Sequence, residues 1–212
     1  MGDQVFEMDQ TIGSWMTPEE LLSEVLRDVV FYNESLGGVT FSGGEPLKQI
    51  TFLKKTLEIL KDCDIHTTID TCGYATGNEI LQIINLSDLF LYDLKIMDEE
   101  EHIKYTGVSN RPILENLQLL YNHQKNVIIR FPVVPGINDT KTNIEAMKSF
   151  LVPLSNRIKE IDLLPYHSLA KEKYVRLGVT DKLSALQDTC KDELDPIKRE
   201  FESAGFRVKI GG

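Results

Sequence analysis

The chain has 212 residues, of which 42% are hydrophobic, so it is long enough for one domain with a substantial core and does not have a disordered composition. Its formal net charge of -10, with Lys and Arg scattered along the chain, argues against a nucleic acid or an anionic membrane as partner. No apolar run approaches the roughly 20 residues that cross a bilayer, and the start shows no signal-peptide pattern, so we expect a cytoplasmic protein.

The three cysteines, Cys63, Cys72 and Cys190, are too far apart in the sequence to form a disulfide framework or a CxxC metal site. Free cysteine commonly packs as a small hydrophobic residue, so we expect the three to be reduced and mostly buried, with a structural role for Cys72. Cys72 differs from the others because it lies beside a predicted strand end.

The predicted elements alternate between helix and strand. Residues 1–16 show no period and are predicted to be a leader, and the domain is predicted to span 17–212. Thr17 and Glu20 form a capping-box pattern that opens a helix expected to end near Asn33. Later helices are predicted at 52–60, 80–84 and 113–120, from a capping box at 142–145, and at 183–201 with a restart at Pro196.

Short runs of β-branched and aromatic residues between these helices are typical of strands. The runs lie at 39–41, 66–73, 89–95, 127–136, 160–167 and 206–210. The last run alternates apolar and basic residues, which predicts an edge strand. Strands that are each followed by a helix predict an α/β fold, either a parallel sheet or a partial barrel. The segments 95–111 and 168–181 are predicted to be irregular, and they follow strand ends, where binding loops collect.

The end of the first predicted strand favours a ligand site. Gly43 and Gly44 have no Cβ to keep a ligand away from the backbone, and Glu45 adds a negative charge for an ammonium or hydroxyl group. A tight strand-to-helix turn is the simpler interpretation of a lone Gly-Gly pair.

Later strand ends also carry ionisable residues. They are Asp70 with Thr71, Asp93 with Lys95, Arg130, and His167. Each alone is explained as a helix cap, a solvated rim residue, an ion-pair partner or a satisfied histidine. Four successive strands with such ends are hard to assign to chance, because unpaired charge is costly to bury. Together the acidic ends fit the amino group of a zwitterionic small molecule, and the basic ends fit its carboxylate.

The segment GVTFSGGEP at 38–46 resembles the GGE motif of radical S-adenosylmethionine (SAM) enzymes. Further segments resemble, in order, the glycyl-radical-enzyme activating enzymes, of which the pyruvate formate-lyase activating enzyme is the type member. They are DTCG at 70–73, DLK at 93–95, TGVSN at 106–110, RFPVVPGIND at 130–139 and LLPYH at 163–167. Together these segments lie across most of residues 17–210.

This resemblance implies a partial TIM-like (β/α)6 radical SAM barrel with a defined set of binding residues. The residues expected to hold the methionyl amino end of SAM are Gly43, Gly44 and Glu45. Those expected around its methionyl carboxylate and amine and its ribose are Asp93, Lys95, Arg130 and His167. A monovalent-cation site that supports SAM and substrate binding is expected at Asp70, Thr71 and Asp93.

The resemblance also implies a reaction. Family members cleave SAM reductively at a [4Fe-4S] cluster, and the resulting 5′-deoxyadenosyl radical abstracts a hydrogen from a glycine of a partner enzyme. The expected partners are a glycyl radical enzyme, either pyruvate formate-lyase or a related lyase or dehydratase, and a flavodoxin or ferredoxin that supplies electrons.

The sequence departs from the family at the cluster. Family members bind it with three cysteines in a CxxxCxxC loop that precedes the helix beginning here at Thr17, and this sequence contains no such loop. The first βα unit of the barrel, which carries that loop, is also expected to be missing. We therefore expect no iron-sulfur ligands and no catalytic residue in this chain, with the [4Fe-4S] cluster present in the full-length protein only and the chain alone inactive.

Two other hypotheses stay open at this point. One is a non-catalytic module that binds SAM or a glycyl radical partner. The other is a phosphate-binding barrel enzyme in which residues 42–44 bind phosphate, although Glu45 would repel that anion. The pattern is equally compatible with pyruvate formate-lyase, diol dehydratase and choline- or aryl-acting lyases as targets.

Overall fold

The computed structural model describes residues 13–167 and 188–211. These residues form a six-stranded parallel sheet in which neighbours along the chain are neighbours in the sheet. The strands are β1 (Val39–Phe41), β2 (Thr67–Thr71), β3 (Leu89–Asp93), β4 (Asn126–Val133), β5 (Glu160–Pro165) and β6 (Arg207–Ile210). The predicted α/β fold of a partial TIM-like barrel is confirmed, and β6 lies at an edge as expected.

Helices precede and connect the strands. They are α1 (Pro18–Val25), α2 (Val29–Ser35), α3 (Ile50–Asp62), α4 (Gly77–Ile83), α5 (Glu99–Thr106), α6 (Arg111–Asn122), α7 (Lys141–Leu151) and α8 (Asp195–Ser203). The capping box is confirmed, because Oγ1 of Thr17 accepts from N of Glu20 and the Glu20 carboxylate accepts from N of Thr17. A 3-10 turn at Leu26–Asp28 divides the predicted first helix into α1 and α2. None of the described helices combines the length and apolar character needed to cross a membrane.

The segment 95–111, predicted to be irregular, contains helix α5. Oδ1 of Asp98 caps its start by accepting from N of Glu101, and Gly107 ends it in the left-handed region. Only His102 is buried in this helix, so its sequence shows no apolar period. The prediction was wrong because the helix is specified by its caps and not by an apolar face.

Two later helices differ in detail from the prediction. Helix α7 is capped by Thr140, whose Oγ1 accepts from N of Asn143, and not by the predicted box that begins at Thr142. Pro196 lies in the first turn of α8, as the predicted restart requires. The preceding part of that prediction, 183–187, lies outside the described residues, as does the whole loop at 168–181. Residues 188–190 are not helical, and Lys191–Leu194 forms a 3-10 turn, so the α-helix begins later than predicted.

The two faces of the sheet differ in burial. Alternate side chains of β3 and β4 are fully buried and pack with the helices in one core. The largest of these are Phe90, Tyr92, Ile129 and Phe131, each 0% exposed. Side chains on the opposite face, such as Leu91, Ile128 and Arg130, are only half-buried. The helices therefore cover one face of the sheet, and the other face carries the polar groups of the candidate site.

Candidate functional site

A cavity of about 230 Å³ opens at the carboxyl ends of the strands. Its lining residues are Ser42, Gly43, Gly44, Glu45, Asp70, Thr71, Cys72, Asp93, Lys95, Arg130 and Leu164. The structure thus brings together every predicted site residue except His167. The side chain of His167 is 54% exposed, and its Nδ1 lies 3.9 Å from Oδ2 of Asp188.

The loop after β1 presents bare backbone to this cavity. Gly43 has φ of +118°, a backbone conformation that residues other than glycine rarely adopt. Apart from each glycine and its two chain neighbours, no described residue has an atom within 4 Å of the position that a Cβ would take at Gly43 or Gly44. A ligand can therefore approach the backbone N–H and C=O groups of both glycines directly.

Glu45 fixes this loop to the end of β2. Its Oε1 accepts from Oγ1 of Thr71 at 2.6 Å and from N of Leu47 at 3.2 Å. Its Oε2 accepts from N of Cys72 at 2.9 Å. The Glu45 carboxylate, which we expect to bind a ligand, thus already accepts hydrogen bonds from three donors of the protein. A carboxylate has about four acceptor positions, so Glu45 orients the glycine loop and keeps capacity for a ligand amine.

We expect Cys72 to be the slowest of the three cysteines to react with iodoacetamide at about pH 8. Burial, and then its hydrogen bond with Glu45, raises the pKa of Cys72 to about 11, so only about one thiol in a thousand is ionised. Cys63 and Cys190 are exposed, so the expectation that the cysteines are mostly buried was wrong. Mass spectrometry of timed samples measures the alkylation rate of each cysteine. Glu45→Gln should increase the alkylation rate of Cys72 only. Equal rates at all three cysteines would contradict this expectation.

Two ion pairs lie side by side in the cavity. Arg130 reaches across β3, and its NH1 lies 2.5 Å from Oδ2 of Asp70, which also accepts from Oγ of Ser42 at 3.0 Å. Nζ of Lys95 lies 3.1 Å from Oδ2 of Asp93. Burial raises the pKa of Asp93, and the charges of Lys95 and Arg130 oppose that rise. A zwitterionic ligand can exchange these partners for its own amino and carboxylate groups.

The sequence analysis missed Asp162, a buried carboxylate on β5. It is 7% exposed and lies in register with Arg130 on β4 and Lys209 on β6. The sequence signal is an acidic residue within an otherwise apolar strand, between Ile161 and Leu163. It cannot be recognised as part of the site from its position, because it lies within β5 and not at the carboxyl end of the strand.

We expect Asp162→Asn to be more stable than the wild type at about pH 7. Burial, and then the charge of Glu160, raises the pKa of Asp162 in the folded chain. An acid whose pKa is higher in the folded than in the unfolded state loses stability as the pH rises between the two values. The advantage of the variant should therefore shrink as the pH falls towards the ordinary aspartate pKa of about 4. Urea denaturation at both pH values measures this, and a variant less stable at pH 7 would count against it.

The cysteines of the chain do not fit an iron-sulfur cluster. Cys63 precedes β2 and Cys72 follows it, and the five residues of that extended strand, roughly 16 Å long, lie between them. Within 13–167 and 188–211 no group of three or more His, Cys, Asp or Glu side chains is placed to hold a metal ion. The paired charges and open glycines of the cavity, in contrast, fit the zwitterionic methionyl part of SAM.

Residues 6–146 match the family model of the Radical SAM superfamily. The trans-4-hydroxy-L-proline dehydratase activating enzyme of Clostridioides difficile is 40% identical over 206 residues, which cover 96% of this chain and 68% of that protein. The (2S)-3-sulfopropanediol dehydratase activating enzyme of Klebsiella oxytoca is 38% identical over 203 residues, which cover 94% of this chain and 64% of that protein. The chain thus spans about two thirds of the length of these relatives.

A solved structure shows the same fold. It is the crystal structure of a domain of pyruvate-formate lyase-activating enzyme from Bacteroides vulgatus ATCC 8482, with a TM-score of 0.69 and 30% identity. The match covers 83% of this chain and 99% of that one. The family match, the similar relatives and this structural similarity all agree with the family assignment that the sequence motifs lining the cavity indicate. The chain belongs to the radical SAM superfamily and, within it, to the glycyl-radical-enzyme activating enzymes.

Proposed function

We propose that this chain is the SAM-binding part of an activase that uses SAM and a [4Fe-4S] cluster to abstract a hydrogen from a glycine of its partner enzyme. The observation that carries the proposal is the cavity, where open glycine backbone lies beside two carboxylate–cation pairs. Two similar proteins activate dehydratases, which supports a dehydratase or lyase of the glycyl radical type as partner. Bound SAM would supply the 5′-deoxyadenosyl radical.

The residues of the cavity would divide the binding of SAM between them. Backbone carbonyls of Gly43 and Gly44, with Glu45, would accept from the methionyl amino group. The groups proposed around the methionyl carboxylate, the amine and the ribose are Asp93, Lys95, Arg130 and His167. Arg130 and Lys95 bring the positive charge that a carboxylate needs. His167 stands outside the cavity lining, so its part requires a movement of the chain after β5.

A monovalent-cation site at Asp70, Thr71 and Asp93 is part of the proposal. All three residues line the cavity, and the two carboxylates are largely buried. Both carboxylates are paired with protein cations, Asp70 with Arg130 and Asp93 with Lys95. A bound monovalent cation would therefore compete with these side chains, and its binding should require their displacement.

Isothermal titration calorimetry tests SAM binding against the phosphate-binding alternative. We expect SAM to bind with a dissociation constant of about 0.1 to 1 mM, and glucose 6-phosphate to give no binding heat. Lys95→Ala should weaken SAM binding, whereas Lys104→Ala, which removes an exposed lysine paired with Glu101 on α5, should not. Binding of the sugar phosphate in preference to SAM would overturn the proposal.

We further propose that the chain alone does not cleave SAM, because its cysteines are too far apart to ligate one cluster. The ligands would come from a part of the full-length protein outside this chain, and the leader at 1–16 would connect that part to the domain at 17–212. Anaerobic reconstitution with iron and sulfide, followed by dithionite and SAM, should yield no 5′-deoxyadenosine above a control without protein. Robust product would refute this part of the proposal.

The full-length protein would act in the cytoplasm of an anaerobic cell and receive electrons from a flavodoxin or a ferredoxin. A net charge of -10 and the absence of a membrane-spanning helix among the described helices support this setting. Reduction of the full-length protein can be measured with two reductase systems, one containing flavodoxin and the other ferredoxin. The comparison would show which carrier supplies the electrons.

A further inference from the structure

Four charged side chains of alternating sign lie in register on one face of the sheet. They are Asp93 on β3, Arg130 on β4, Asp162 on β5 and Lys209 on β6. Residues in register on adjacent parallel strands point to the same side, so the four form a row across the face that carries the cavity. In a row of alternating charges, each side chain is expected to form an ion pair with a neighbour in the row.

The pairing along this row is incomplete at Asp162. Its two neighbours are cations that both bond to other carboxylates. Arg130 pairs with Asp70, and Nζ of Lys209 lies 2.5 Å from Oε1 of Glu160. Asp162 is therefore a buried carboxylate between two cations that are engaged elsewhere.

Within the part of the chain that the structure describes, two polar atoms of the row are buried and have no hydrogen-bond partner. They are Nε of Arg130, a donor, and Oδ1 of Asp162, an acceptor. Buried polar atoms are bonded in the great majority of cases, and a charged group left unpaired is especially costly. Here the free donor and the free acceptor carry opposite charge and stand on adjacent strands in register. A rotation of the Arg130 side chain towards β5 would satisfy both.

We propose that Asp162 is a positioning residue for Arg130: when a ligand enters the cavity, Nε–H of Arg130 donates to Oδ1 of Asp162 and the guanidinium leaves Asp70. This inference rests on the SAM site proposed above. A guanidinium held at Nε keeps its terminal N–H groups for a second carboxylate, that of the ligand. Asp70 is released at the same moment to accept a cationic group. Asp162 does not line the cavity, so it acts on the ligand only through Arg130.

Calorimetry with SAM tests the inference on Asp162→Asn, with Glu200→Gln as control. Glu200 lies on α8 and pairs with Lys148 at 2.5 Å, outside both the row and the cavity lining. We expect Asp162→Asn, which removes the negative charge that attracts Arg130, to weaken SAM binding about tenfold and Glu200→Gln to leave it within about twofold. Asp162→Glu, which keeps the carboxylate, should recover part of the affinity. Equal weakening by Asp162→Asn and Glu200→Gln would overturn the inference.

A second readout needs no SAM. Asp70→Asn removes the negative charge that now holds Arg130, so Nε–H of Arg130 should turn to the carboxylate of Asp162. In ¹⁵N NMR spectra of the arginine side chains, the Arg130 signal, assigned by its loss in Arg130→Lys, should move downfield and exchange more slowly with water. The double variant Asp70→Asn/Asp162→Asn should lose both effects. Identical Arg130 signals in the single and double variants would overturn the inference, whereas failure of the wild type to bind SAM would count against the proposed function alone.

Discussion

Replacing Gly73 with alanine is expected to lower the free energy of unfolding by about 3 to 5 kcal/mol. Gly73 has φ of +71°, and a Cβ at this position would overlap Oη and Cζ of Tyr92. Tyr92 cannot move aside at low cost, because it is 0% exposed and its hydroxyl donates to O of Ile113 at 2.6 Å. Urea denaturation followed by circular dichroism measures the loss.

Gly107→Ala is the matched control for this substitution. Gly107 has φ of +84°, but beyond its two chain neighbours none of the described residues has an atom within 4 Å of where a Cβ would lie. The control should therefore show only the cost of a left-handed conformation, about 1 to 2 kcal/mol. If the two variants lose the same stability, the clash with Tyr92 does not determine the identity of residue 73.

Arg130→Ala is expected to lower the free energy of unfolding by about 1 to 3 kcal/mol and to weaken SAM binding at least about tenfold. The side chains of Arg130 and Asp70 are 23% and 19% exposed, so removal of the cation leaves a largely buried carboxylate without its partner. The ligand carboxylate also loses a cation. Urea denaturation and calorimetry measure the two effects.

Two further variants separate this explanation from a general loss of charge. Arg111 forms an ion pair with Glu99 at 2.7 Å, but its side chain is 74% exposed, so Arg111→Ala should cost less than about 0.5 kcal/mol. Asp70→Asn added to Arg130→Ala should restore stability, because no buried charge is then left unpaired. A double variant no more stable than Arg130→Ala would show that the pair is not the source of the loss.

Local patterns in the sequence predict much of the fold. The capping box at Thr17 depends on residues within one turn, and the strand-end positions of Gly43 and Asp93 follow from short apolar runs. Arg130, also expected at a strand end, lies instead within β4, which continues to Val133. Helix α5 could not be predicted from apolar periodicity, because only one of its side chains is buried.

Contacts between distant residues decide the parts of the site that could not be predicted. Glu45 bonds to Thr71 and Cys72, which are 26 and 27 residues away, so its role in fixing the loop depends on how β1 and β2 pair. Asp162 acquires its importance only when the register places it between Arg130 and Lys209. The residue types alone show that both side chains are acidic, but which residues they contact depends on how the strands pair in the sheet.

The position of bound SAM is measured by titrating SAM into the ¹⁵N-labelled chain and following its amide signals. Binding at the cavity predicts that the amides of Gly43, Gly44 and residues 93–95 shift most and saturate together, with little change elsewhere. The structure offers a contrasting location, a cavity of about 510 Å³ near the opposite strand ends, lined in part by Val29, Leu36 and His66. Shifts confined to that second cavity, or no shifts at saturating SAM, would contradict a SAM site built on the glycine loop and the carboxyl ends of the strands.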